Sequence, residues 1–147
     1  MSNYWKNRNV LITGINGFVG GNLCKAILDA GANVFGLVRN YNNDTYLYYE
    51  GLDKKIRIFR GDLGDKESFS RIISEEQIEH IFHLAAQVEV GVGMSNPYLT
   101  FETNVRGTYS LLEASRLFPD NIKSIVIASS DKSYGSYPIE KMPYKED

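Results

Sequence analysis

Short apolar runs alternate with longer amphipathic stretches from one end of the chain to the other. NVLIT, Asn9 to Thr13, is short, continuous and β-branched, the pattern of a parallel strand buried on both faces. From Phe18 to Ala30 the apolar residues Val19, Leu23, Ala26, Ile27 and Ala30 recur at helical spacing, and Gly31 closes the helix. Asn33 to Val38 predicts a second strand and Ile56 to Gly61 a third, after which Asp65 opens a helix through KESFSRIISEE. His80 to Ala85 predicts strand four. A long helical pattern follows Pro97 with Leu111, Leu112, Ala114 and Leu117, and Ile122 to Ser130 predicts strand five. Strands alternating with helices mean β-α-β units: an α/β, doubly wound parallel sheet of the Rossmann type, with about five strands in one domain over residues 1–147. Only Asn40 to Lys54 resists the pattern. Its Tyr41, Tyr46, Tyr48 and Tyr49 offer rings for stacking on an adenine, but the preferred reading is an irregular loop with a short helix, its rings packed on the domain surface.

Composition narrows the class. At 147 residues, 43% hydrophobic and 23% charged, the chain suits one ordinary globular domain with a proper core. A net charge of −2 gives no reason to expect a nucleic-acid or acidic-membrane partner, and no apolar run approaches a bilayer span. The single cysteine, Cys24, excludes an internal disulfide and reads as a buried helix residue. With no signal-peptide pattern at the N-terminus, the cytoplasm is the expected compartment. His83, in an apolar strand, reads as a satisfied core histidine and His80 as a surface one; no cluster has metal-ligand spacing, so no metal is expected.

TGINGFVG sets Gly14, Gly17 and Gly20 at the junction of strand one and helix one. Such a turn lets the backbone approach a pyrophosphate, and the helix N-terminus offers amide donors and a positive dipole end. The spacing Gly-x-x-Gly-x-x-Gly, with Asn16, Phe18 and Val19 between, resembles the short-chain dehydrogenase/reductase superfamily, in its extended epimerase/dehydratase branch. Further stations carry the resemblance: GDLGD with Asp62 and Leu63 after strand three, HLAAQ with Leu84, Ala85, Ala86 and Gln87 ending strand four, Asn104 in the long helix, and SSDKSYG ending strand five. The resemblance implies that Asp62 and Leu63 hold adenine, that Leu84 to Gln87 line phosphates and ribose, and that Asn104 shapes the active site. Read by themselves, Asp62 also fits a turn cap and Asn104 a bond to a helix carbonyl.

Family members oxidise through Tyr-x-x-x-Lys, the lysine lowering a phenol pKa that is otherwise about 10. Tyr137 and Lys141 have that spacing, but Gly135, Pro138 and Pro143 leave no room for the helix that would align them. YGSYPIEKMPYKED instead resembles the family's proline-rich loop, with Pro143 and Glu146 in place; the catalytic tyrosine and the substrate-binding part are then expected beyond Asp147, and this chain alone is expected to be inactive. Ser130-Asp131-Lys132 looks like the CDP-glucose 4,6-dehydratase pattern. The resemblance implies oxidation at carbon 4, loss of water across carbons 5 and 6, and return of the hydride to carbon 6. Ser130 holds the catalytic serine position, Asp131 acts as acid for the departing hydroxyl, and Lys132 acts as base or enolate stabiliser. A surface Asp131–Lys132 ion pair, a 4-epimerase or reductase on the same scaffold, and a non-catalytic dinucleotide-binding module stay open. At the end of strand two an acid would mark NAD; GLVRN has Arg39, which suits a 2′-phosphate and resembles NADP-using GDP-mannose 4,6-dehydratases. NADP is the preferred cofactor, with Arg39 stacked on the adenine of NAD as the alternative. The implied partners are a CDP-, GDP- or UDP-linked hexose and a second copy of the full-length protein.

Overall fold

A computed structural model describes residues 3–136 and 138–145. Five strands, β1 (Asn9–Thr13), β2 (Asn33–Val38), β3 (Arg57–Arg60), β4 (His80–His83) and β5 (Ser124–Ile127), form one sheet in the order β3-β2-β1-β4-β5, every pairing parallel. The doubly wound sheet expected from the sequence is therefore present. β1 and β2 have the predicted bounds, whereas β3, β4 and β5 are shorter than their apolar runs. β4 stops because Leu84 N and Ala85 N turn to the Thr13 hydroxyl, both at 3.2 Å, instead of to a neighbouring strand. β5 then has one bond left, Ala128 N to His83 O, and no partner beyond it among the described residues.

Alternation along the strands divides the core in two. Val10, Ile12, Val34 and Val38 meet Ile15, Cys24 and Ile27 on one face; Leu11, Leu37 and Ile81 meet Phe69, Ile72, Ile73, Leu111 and Ala114 on the other. Each fully buried aliphatic side chain stabilises by roughly 1.5–3 kcal/mol. The helices are α1 (Phe18–Asp29), α2 (Tyr46–Tyr49), α3 (Lys66–Glu75), α4 (Val90–Ser95), α5 (Pro97–Phe101) and α6 (Gly107–Arg116). A π-helical turn, Glu102–Arg106, joins α5 to α6, so the long helix expected after Pro97 runs through with a widened middle. α1 and α2 cover the first core, and α3 and α6 pack together over the second. Asp65 opens α3 as expected, its carboxylate accepting from Ser68 N at 3.0 Å and Ser68 Oγ at 2.6 Å, a cap worth about 1 kcal/mol.

The residues α1 buries are Gly20, Gly21, Cys24 and Ile27, while Val19 and Ala26 are exposed, contrary to the apolar periodicity. Small residues let this helix lie close, so its axis is turned toward the glycines rather than toward the bulkier valine. Burial pushes the Cys24 thiol up to about 11, which leaves it inert. The Asn40 to Lys54 stretch holds α2 and a 3₁₀ turn, Leu52–Lys55; Leu47 and Leu52 enter the first core, Tyr46 and Tyr48 pack against it, and Tyr41 and Tyr49 are exposed.

His80 is buried, not on the surface as the sequence suggested. The 3₁₀ turn Asn3–Trp5 folds over the amino end of the sheet and sets Trp5 edge-on to the imidazole at 5.0 Å. Ser124 Oγ lies 2.7 Å from its Nδ1. No described helix is long and apolar enough to cross a membrane.

Adjacent glycines in α1 test the close packing. A Cβ on Gly20 would stand 2.8 Å from Gly14 C and Ile15 Cα and closer still to the Gly14 carbonyl oxygen. One on Gly21 would press on the Tyr46 ring at 3.1 Å and make ordinary contacts with Ile15 O at 3.6 Å and Leu47 N at 3.7 Å. Backbone cannot yield as a ring can. Gly20→Ala should cost about 1–3 kcal/mol or more, and Gly21→Ala under about 1 kcal/mol, helped by its better helix propensity. Denaturant unfolding that shows equal losses would refute this account of the turn.

Candidate functional site

The chain winds β1, β2 and β3 outward on one side, then crosses back to place β4 and β5 on the other. Such a switch opens a crevice at the carboxyl ends of β1 and β4. Gly14 leaves β1 with φ +68°, and a Cβ there would stand 2.9 Å from both Ala85 Cα and Ala85 N. Left-handed backbone and the close approach both demand glycine. Gly17 N donates to Gly14 O at 2.9 Å, and Gly17 is the N-cap of α1. No side chain caps that helix start and no acid lies in its first turn, so its positive dipole end is not offset by a side chain there. Asn16 is half-buried; Phe18 and Val19 are exposed on the first turn.

Thr13 and His83 are register partners on β1 and β4, and Thr13 Oγ1 lies 2.9 Å from His83 Nδ1. On its other side His83 Nε2 reaches Thr108 Oγ1 at 3.2 Å, and Thr108 Oγ1 donates to Asn104 O at 2.7 Å. Asn104 in turn clasps the backbone of Gln87, accepting from its N at 2.7 Å and donating to its O at 2.9 Å. Leu84, Ala85 and Gln87 are half-buried and Ala86 is exposed. The expected set of Gly14, Leu84 to Gln87 and Asn104 is thus joined through Thr13, His83 and Thr108. His83 is the core histidine that the sequence suggested. Thr13 and Thr108 were not visible as site-shaping residues, because a lone threonine carries no pattern until the strand register is known.

After β3, Asp62 Oδ1 accepts from Gly64 N at 2.8 Å, the turn cap that was one of its two readings. With Asp65, Leu99, Glu102 and Arg106 it also lines an open cavity of about 410 Å³. Leu63 packs on Gly107, where a Cβ would stand 2.7 Å from its own Cβ. Arg39 is exposed just after β2, and Arg60 Nε donates to its carbonyl at 3.3 Å, which puts a second arginine beside it. Arg60 gave no signal in sequence, since it ends an ordinary strand and its neighbour is fixed only by the β2–β3 pairing.

Ser130, Asp131 and Lys132 are exposed beyond β5, two strands away from the glycine turn. Ser130 Oγ accepts from Lys132 N at 3.2 Å, and Lys132 Nζ pairs with Asp131 at 3.3 Å. The Lys132 hydrogen bond holds the Asp131 carboxyl below its ordinary range. As found, Asp131 is ionised at neutral pH and accepts a proton rather than giving one. Ile139–Lys141 forms a single 3₁₀ turn. Tyr137 and Glu146 lie outside the described residues.

Residues 11–147, nearly the whole chain, match the protein family described as GDP-mannose 4,6 dehydratase. The chain belongs to that family. The CDP-glucose 4,6-dehydratase of Salmonella typhimurium is 35% identical over 133 residues, covering 90% of this chain and 37% of the relative. The CDP-paratose 2-epimerase of Salmonella typhi is 34% identical over 140 residues, covering 93% and 40%. Among solved structures, the Thermus thermophilus UDP-glucose 4-epimerase in complex with NAD superposes with a TM-score of 0.81 at 34% identity, covering 94% of this chain and 42% of the other. The chain therefore spans between 37% and 42% of the length of these relatives. The epimerase/dehydratase kinship expected from the glycine turn and its companion motifs is met.

Titration of this family member should show its buried groups. Burial lowers the pKa of both His80 and His83 below 6.5, so the folded chain refuses protons that the unfolded chain accepts. Burial acts against the Glu79 carboxylate too, but Lys123, the Asn9 amide and Arg8 outweigh it and bring that pKa from 4.5 to about 2. All three groups are depressed in the fold, so the stability they confer is complete at high pH and is lost as pH falls. Urea midpoints should be level above pH 6.5, decline as pH drops below it, and decline again between 4.5 and about 2. The slope is at most about 1.4 kcal/mol per pH unit for each group. A midpoint that stays level from pH 7 to 5 would contradict the burial of both histidines.

Proposed function

We propose that this chain is the dinucleotide-binding part of a sugar-nucleotide 4,6-dehydratase that works with NADP. The observation that carries the reading is the Gly14 turn seated on the Ala85 backbone in the β1/β4 crevice, with the uncapped start of α1 aimed at the same place. Gly14 and Gly20 are required by the packing of the turn itself. Gly17 is exposed, and its missing side chain leaves the outer face of the turn open to a pyrophosphate. The Thermus epimerase, so similar in fold, holds NAD. In our reading Gly14, Asn16, Gly17, Phe18, Val19 and Gly20 hold the phosphates, Asp62 and Leu63 flank the adenine, and Leu84 to Gln87 with Asn104 line the ribose and nicotinamide side.

A nicotinamide dinucleotide in this site supplies the reversible oxidation at carbon 4 of the sugar. The residues of this chain then act on carbons 5 and 6. Ser130 offers its hydroxyl to the oxygen on carbon 4. Lys132 stabilises as an ammonium the charge that develops at carbon 5, or takes the carbon-5 proton once its own has been given up. Asp131 passes a proton to the departing carbon-6 hydroxyl after first taking one up. That requires the bound substrate both to part it from Lys132 and to shield it from water, since the exposed carboxyl is ionised even without the pair. The Tyr-x-x-x-Lys pair and the sugar-binding lobe belong, in this reading, to sequence following Asp147, and the substrate is a CDP-, GDP- or UDP-linked hexose. Exposed Tyr98, Phe101, Val105, Tyr109 and Leu112 on the long helix support a homodimer of the full-length, cytoplasmic protein. A 4-epimerase is the second reading, supported by the likeness to the Thermus enzyme.

Two measurements test these assignments. Arg39, with Arg60 beside it, offers cations to a 2′-phosphate. A ligand stabilises by RT ln(1 + [L]/Kd), so NADP should raise the melting temperature more than NAD, and Arg39→Asp should reverse the order. Equal shifts in both proteins remove Arg39 from the site. In the intact enzyme, Asp131→Asn should slow water loss by about 10²- to 10⁴-fold and let reduced cofactor accumulate. Dehydration at the unaltered rate would return the epimerase reading to the front.

A further inference from the structure

The buried bonds around His83 have only one consistent direction. A carbonyl accepts and never donates, so at 2.7 Å the Thr108 hydroxyl must give its proton to Asn104 O. Its oxygen is then left to accept, and the partner at 3.2 Å, His83 Nε2, must carry a proton. At the other ring nitrogen, Thr13 Oγ1 already accepts from Leu84 N and Ala85 N, so its own proton goes to His83 Nδ1 at 2.9 Å. The imidazole is therefore neutral with its proton on Nε2. A second proton would leave two donors, Nδ1–H and the Thr13 hydroxyl, facing each other in a buried space.

This order has a mechanical meaning. One end of the relay is the π-helical turn that carries Asn104, whose side chain clasps Gln87. The other end is Thr13, whose hydroxyl holds the amides of Leu84 and Ala85, the backbone on which the Gly14 turn rests. Both ends of the segment Leu84–Gln87 are thus tied to hydrogen bonds that converge on the imidazole. We propose that His83 is a positioning residue of the dinucleotide site, a neutral Nε2–H imidazole that sets the 84–87 segment against the glycine turn. The proposal rests on the dinucleotide-binding reading. Thr13 faces the ring from β1 and Thr108 from α6, and burial lowers the pKa of the ring beside them. Protonation of His83 accordingly releases the Thr13 end of the relay, and the affinity for dinucleotide falls with pH.

Nitrogen-15 NMR of the imidazoles in this chain, together with binding of NADP and NAD by titration calorimetry, tests the relay. Wild type should show the Nε2–H tautomer of His83 at pH 7.5. Thr108→Val, which removes the acceptor but keeps the shape, should weaken dinucleotide binding roughly tenfold, and Thr108→Ser should restore it to within about twofold. Ser124→Ala, which takes a partner from His80 at the far end of the same strand, should leave affinity unchanged. A purely structural role predicts instead that affinity follows melting temperature across all three variants. An Nδ1–H tautomer, or equal affinities for the valine and serine variants, overturns the proposal and leaves the dinucleotide reading intact. Failure of wild type to bind either dinucleotide overturns both. If Thr108→Val does not fold, the wild-type tautomer and the pH dependence of wild-type affinity decide the matter.

Discussion

The turn that leaves β1 at Gly14 rests directly on the backbone that leaves β4 at Ala85, with no side chain between them. Much of the molecule is arranged to permit that contact. Gly14 takes a left-handed conformation, which disfavours a larger residue, and must also lack a Cβ, which the Ala85 backbone excludes. Gly20 brings α1 down onto the same turn from above. Thr13, one residue earlier, draws the Leu84 and Ala85 amides out of the ladder and satisfies them with one hydroxyl, so backbone groups that would be stranded at the end of β4 are paired. The crevice lies where the strand order reverses between β1 and β4, and those amides bond across its floor.

The long helix obeys the same constraint from the other side. In its middle Gly107 N bonds Glu102 O, five residues back, which widens the turn and marks it as π-helical. Widened turns of this kind recur at functional sites because they redirect one side chain without ending the helix. Here the redirected residue is Asn104, whose amide reads both backbone groups of Gln87. Gly107, at the end of the same turn, admits Leu63 from the loop after β3. One irregular turn thus fixes two of the loops at the sheet edge, and a regular helix would fix at most one.

How much of this the sequence disclosed depends on where tertiary partners enter. Asn9–Thr13 and Asn33–Val38 were legible to the residue, because a central parallel strand is apolar for its whole length and polar or glycine at its ends. β3, β4 and β5 were read too long: Gly61, Lys123 and Ala128 still donate single bonds to the neighbouring segment but lie outside the ladder, and the amides after β4 turn to Thr13. α4 went unread: VGVGMS carries two glycines, an exposed Val90 and a half-buried Val92, and gives neither a strand nor a helix period. His80 was misplaced because its cover, Tyr4 and Trp5, comes from a segment remote in sequence. The glycine turn and the residues after each strand were legible as a pattern. The threonines and the histidine that bind that pattern together were not, since their meaning lies in register.

The two ends of the sheet solve opposite problems with neighbouring histidines. At the amino end, beside His80, Glu79 accepts from Arg8, from the Asn9 amide and from Lys123, and so ties β1, β4 and the start of β5 with charge. That tie is strong because ions and backbone converge on one carboxylate. At the carboxyl end, three residues later on β4, His83 does its work with neutral hydroxyls and amides. A carboxylate in that position would oppose the positive end of α1 and repel the phosphates that we propose the turn receives. A charged imidazole would break the relay. The neutral histidine meets both requirements, holding the loops in place while leaving the field of the helix as the main charge signal in the crevice.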